Sequence, residues 1–156
     1  MRKTILSAVS ALAVSALMTL GSQAVSAKDV EIHLPAKEVS LPVDNKGTMQ
    51  ASWTFDGQVP GPFIRVTEGD KVTIVLTNDP SSKNSHSIDL HAARVDVLDE
   101  FEEIKPGETK RFSFIATTPG AFYYHCGADP MYQHIARGMF GVIVVDPKDP
   151  KALPKA

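Results

Sequence analysis

Glycine- and proline-bearing turns punctuate the middle of this chain, at "FDGQVPGP", "TEGDK", "IKPGET" and "TTPGAF", and they leave room only for short elements between them. The intervening runs alternate with period two. Val72, Ile74 and Leu76 interleave with Thr73, Val75 and Thr77, and Phe112, Phe114 and Ala116 with Ser113, Ile115 and Thr117. Such alternation sends successive side chains to opposite faces, so these runs are expected to be strands with one face buried. Short strands between regular turns predict an all-β fold, a Greek-key sandwich or barrel of antiparallel strands. No stretch carries a sustained helical stripe. "DPMYQHIA" has Pro130 near its start and can form one short turn, and it is assigned to a loop. "ARVDVLDEFEEI", from Ala93 to Ile104, sets five acidic side chains among apolar ones and is expected to be a strand pair or a mobile loop with its charge solvated.

The start of the chain reads differently. Arg2 and Lys3 precede an apolar run from Ile5 to Leu20 and the small residues Val25-Ser26-Ala27, the pattern of a secretory signal peptide and too short for an anchor. Cleavage near Ala27 is expected, giving an exported, periplasmic chain from Lys28 onward with no membrane span. Residues 28–147 suffice for one domain, and the Pro- and Lys-rich residues 148–156 are expected to form a flexible tail. Loss of Arg2 and Lys3 moves the formal charge from −2 to −4, and no basic patch points to nucleic acid.

Export also sharpens the meaning of Cys126, the single cysteine, which cannot form an internal disulfide. It is followed by His134 and then by Met139, just before the strand-like "FGVIVV". A thiolate, an imidazole and a weak thioether offered from one loop are the set that copper accepts in electron-transfer sites, with a second imidazole completing it. His86 and His91, both in "HSIDLH", are the candidates for that imidazole. They differ by an odd number of positions, so their side chains leave opposite faces of an extended strand, as do those of the adjacent His125 and Cys126. If His86 and Cys126 face inward, then His91, His125 and Asp89 share the outer face. Met131 has the wrong spacing for an axial ligand and is expected to fill a gap. His33 is expected to be an ordinary exposed histidine, and it is the one spare imidazole a neighbouring subunit could donate.

With "TFDGQVPGPFIRVTEGDKVTIVLTN", "HSIDLHAA", "KPGETKRFSFIATTPGAFYYHC" and "GMFGVIVVDP" in place, the chain resembles the first cupredoxin domain of the copper-containing nitrite reductases. "VPGP" alone would suit multicopper oxidases generally. The resemblance implies a cupredoxin-like domain in which His86, Cys126, His134 and Met139 bind type 1 copper. It further implies that His91 and His125 bind a second, type 2 copper and that Asp89 handles protons. Three features depart from the family pattern: the second cupredoxin domain with its further histidines has no counterpart in these residues, the loop from Cys126 to His134 is one residue shorter and lacks tryptophan, and the segment after Ala93 is acidic.

Two functions follow. The favoured expectation is an exported type 1 copper protein that carries single electrons between redox partners such as a cytochrome or a copper oxidoreductase. The alternative is a homo-oligomeric copper oxidoreductase, nitrite reductase-like or oxidase-like, with type 2 copper at the subunit interface. The first needs only the inner ligands, in a monomer. The second uses Asp89, His91 and His125 as catalytic groups, in an assembly such as a homotrimer.

Overall fold

Strands form along the alternating runs. The computed structural model describes residues 26–149 and 151, so the expected signal peptide and C-terminal tail fall largely outside the described residues. The strands are β1 (Asp29–Pro42), β2 (Met49–Phe55), β3 (Ile64–Thr67), β4 (Lys71–Asn78), β5 (Asp89–Leu90), β6 (Thr109–Ile115), β7 (Gly120–His125) and β8 (Phe140–Asp146). They make two four-stranded sheets, in the orders β2-β1-β4-β6 and β3-β8-β7-β5.

The expectation of antiparallel strands needs correction, because β1 runs parallel to β4 and β3 parallel to β8. Periodicity fixes which face a side chain takes and says nothing of strand direction. The long strand β1 also changes neighbours midway. Its first half pairs with β4 and its second half with β2, with Ala36 opposite both Asn78 and Phe55.

The inward faces of the two sheets enclose the core. Leu34, Phe55, Val72, Ile74 and Phe112 from one sheet join Leu90, Tyr124, Ile143 and Val145 from the other in one buried cluster, each large apolar side chain contributing about 1.5–3 kcal/mol by leaving water. Tyr124 is wholly buried. Its hydroxyl donates to Pro62 O at 2.6 Å, as a buried phenol requires, and its ring lies over Gly141, where any Cβ would collide with it.

Two short helices replace expected irregular segments. The "DPMYQHIA" stretch forms α2 (Met131–Ala136) rather than a loop, with Pro130 at its N-cap. Proline suits a helix start because no N–H is needed there, and Gln133 N closes onto Pro130 O at 2.9 Å. The acidic segment is neither a strand pair nor wholly irregular. It holds a single helical turn, α1 (Val97–Glu100), whose start is capped by Asp96 through Leu98 N at 3.0 Å, and only Ile104 pairs in β fashion, with His86.

Candidate metal centres

β7 delivers His125 at its last position and Cys126 immediately after it. Because adjacent residues of an extended chain face opposite ways, the bonded pair reaches into two separate environments. On the inner side, Cys126, His86 and His134 bring donor atoms within 4.8 Å of one another. His86 Nδ1 lies 3.2 Å from His134 Nδ1, and Cys126 Sγ lies 3.2 Å from the same His134 atom.

Each inner donor is fixed by its element. His86 ends the loop from β4, where its backbone exchanges hydrogen bonds with Ile104 at 3.0 and 2.8 Å. Asn78 spans the same loop, donating to Asn84 O and Ile104 O. His134 projects from α2. The helix then leads through Gly138, whose φ of +118° favours glycine, to the fully buried Met139. Met139 O accepts from Cys126 N at 3.0 Å, and Met139 N donates to His134 O at 3.1 Å. Backbone bonds thus tie the methionine to both neighbours in the cluster.

Burial dominates the electrostatics of this pocket. It pulls His86 down to about 4, helped by the nearby His134 and opposed by Glu38. His134 is likewise lowered by burial. The Cys126 thiol is pushed above its ordinary value, although Ser87 N donates to its sulfur at 3.3 Å. Both imidazoles are therefore neutral at pH 7 and carry lone pairs, as metal ligands require. Two imidazole nitrogens and one thiol converging in a dry pocket fit a type 1 copper, which favours soft sulfur with nitrogen.

The outer side gathers the other group. Asp89, His91 and His125 also bring donor atoms within 4.8 Å of one another. His91 Nε2 and His125 Nε2 are 3.1 Å apart, and Asp89 stands directly opposite His125 in the β5–β7 register. His91 is exposed, while Asp89 and His125 are half-buried. This donor set is open to solvent, and a metal held there by the two imidazoles would keep free positions beside the Asp89 carboxyl.

The remaining candidates lie apart. His33 sits on β1 in the other sheet, exposed, with Nε2 2.9 Å from Glu31 Oε1. Met131, expected to fill a gap, instead opens α2 with 47 % exposure, because the first turn of this short helix faces solvent. Two residues that sequence reasoning missed also touch the inner pocket. Trp53, from the buried end of β2, sets its ring 4.6 Å from that of His134 and 5.8 Å from that of His86. The ligand loop lacks a tryptophan, and a distant strand supplies one. Glu38, on β1, places Oε1 3.5 Å from His86 Nε2. Burial raises its proton affinity, but hydrogen bonds from Asn84 and Lys83 outweigh that and hold the carboxyl below the usual range. Neither residue has a sequence signal linking it to His86, since each lies on a strand paired through the fold.

Residues 39–150 match the multicopper oxidase family. A copper-containing nitrite reductase of Neisseria meningitidis serogroup A is 42 % identical over 127 residues, covering 81 % of this chain and 32 % of that protein. Among solved structures, the copper nitrite reductase from Nitrosomonas europaea is 63 % identical, with a TM-score of 0.79 over 82 % of this chain and 45 % of that one. A copper-containing nitrite reductase from Thermus scotoductus is 37 % identical, with a TM-score of 0.71 over 79 % and 28 %. The chain thus spans roughly a third of the length of the Neisseria reductase. Among the described residues, no helix is long and apolar enough to cross a membrane.

Proposed function

The chain belongs to the multicopper oxidase family, and on that premise we propose that it works as a copper oxidoreductase with two metal centres, type 1 at His86, Cys126, His134 and Met139 and type 2 at His91 and His125. One observation carries this reading above a simple electron carrier: Asp89, His91 and His125 converge on the face opposite the inner cluster, where a carrier has no use for them. The carrier expectation explains only half of the chemistry drawn together here. The reductases similar to this chain support the enzyme reading as well.

Bound copper would supply a one-electron couple at the inner site and a Lewis acid for a small oxyanion at the outer one. The protein's own part is positional. The peptide bond between His125 and Cys126 links the two donor sets covalently. Asp89, opposite His125, is the carboxyl proposed to pass protons to the substrate. Nitrite is the substrate the relatives suggest, and its one-electron reduction to nitric oxide and water consumes two protons, a demand that a carboxyl beside the site can help to meet. Two imidazoles leave the outer site open to a ligand from a second copy of the chain. A shallow apolar recess lined by Tyr123, His125, Ile135 and Phe140 lies beside it, with Tyr123 66 % exposed, and is the place proposed for that second copy to dock. Export with a cleaved leader near Ala27 and a single domain over 28–147 complete the proposal.

Copper analysis with paramagnetic resonance tests it. The reading expects both a type 1 and a type 2 signal in an oligomer that reduces nitrite, with the type 2 signal lost in His125→Ala. A lone type 1 signal in a monomer would return the protein to the carrier class.

A further inference from the structure

Glu38 meets His86 on the side away from the donor cluster. Its Oε1 accepts from Lys83 N, Asn84 N and Asn84 Nδ2, each at 2.9 Å, and so closes the loop that leads from β4 to His86. The same oxygen is the acidic atom facing His86 Nε2, at 3.5 Å. That nitrogen has no hydrogen-bond partner among the described residues, although His86 is 0 % exposed. A buried polar nitrogen left in this way is costly, and a small inward movement of the carboxylate would satisfy it.

A neutral imidazole has one N–H and one lone pair, and its surroundings choose between the two tautomers. With the proton on Nδ1, the Nε2 lone pair would face the carboxylate oxygen and repel it, while the N–H would point into the donor cluster. With the proton on Nε2, the N–H faces Glu38 and the Nδ1 lone pair faces Cys126 and His134. A carboxylate behind a ligand imidazole fixes its orientation and increases its basicity.

We propose that Glu38 is a positioning residue for the inner centre: it holds His86 as the Nε2–H tautomer with Nδ1 free for the metal, and its negative charge lowers the reduction potential of copper bound there. The tautomer half concerns the metal-free chain alone, and the potential half rests on the copper reading above. Glu38→Gln separates this role from loop stapling, because glutamine keeps a carbonyl oxygen for the Lys83 and Asn84 N–H groups but loses the charge. A stapling role alone leaves the potential where it is.

Nitrogen-15 spectra of the metal-free protein at neutral pH read the tautomer directly. The expected result is protonated Nε2 and unprotonated Nδ1 on His86, kept in E38Q, whose carbonyl oxygen still accepts there, and a mixture of the two tautomers in Glu38→Leu, which has no acceptor. Loaded with cupric ion, E38Q should keep its colour and show a higher midpoint potential than the wild type, with Glu38→Asp closer to the wild type. Protonated Nδ1 in the wild-type protein, or an unmoved potential in coloured E38Q, would overturn the proposal. Should E38Q fail to fold, the wild-type tautomer still decides. A wild type that takes up no copper would defeat the copper reading instead, and the tautomer would again judge Glu38.

Discussion

At the scale of single residues, burial in the inner pocket disfavours the charged forms of His86, His134 and Cys126, and that has a sign. His86 sits near 4 in the native chain against an ordinary 6.5, so between those values the unfolded chain binds a proton that the native one refuses. Stability of the metal-free protein is therefore full above about pH 6.5 and falls as pH drops toward 4, by up to about 1.4 kcal/mol per pH unit for one such group. His134, lowered in the same direction, adds to the slope. Urea unfolding of metal-free protein across this range checks it, and His86→Phe should flatten the curve. Cys126 gives the complementary expectation. Its thiol keeps its proton at neutral pH because burial raises it, whereas the neutral imidazoles bind through a free lone pair and keep their N–H, so copper uptake at the inner site should release about one proton. Calorimetric titration in buffers of different ionisation enthalpy measures that number.

At the scale of elements, the metal loop depends on how α2 is turned back into β8. Gly138 makes that turn at φ +118°, and a Cβ there would run into Val59 and approach the Trp53 carbonyl at 3.1 Å. Gly138→Ala should cost about 1–3 kcal/mol and disturb Met139, visible as a lower unfolding midpoint together with a changed copper spectrum. The parity of "HSIDLH" and of His125-Cys126 anticipated the two side-chain clusters, although β5 holds only Asp89 and Leu90 and the two histidines flank it. What parity cannot convey is pairing between distant strands. The parallel registers of β1 with β4 and of β3 with β8, the ring of Trp53 against His134 and the carboxylate of Glu38 behind His86 all depend on which strands become neighbours. The helix at Met131–Ala136 escaped notice for a different reason: six residues are too few to display a helical stripe.

At the scale of the whole molecule, the two clusters differ in what they need from outside. The inner one is buried within a single chain, with His86, Cys126, His134 and Met139 all 2 % exposed or less. The outer one is exposed and offers two imidazoles and a carboxylate beside the apolar recess at Tyr123 and Phe140. On the proposed assembly, Tyr123→Glu, which sets charge on that surface, should shift the protein toward monomer in light scattering and abolish the type 2 signal while leaving the type 1 colour unchanged. The carrier reading expects no change in mass from this substitution.

The proposed function rests on the inner pocket accepting copper through Cys126. Titrating cupric ion into metal-free protein while following visible absorption and alkylation of the thiol tests this directly. The account predicts an intense thiolate-to-copper band that saturates at one equivalent for that site, is lost in Cys126→Ser, and appears as the thiol becomes inaccessible to alkylation. A solution that stays colourless, with Cys126 still alkylated at its metal-free rate, would contradict it.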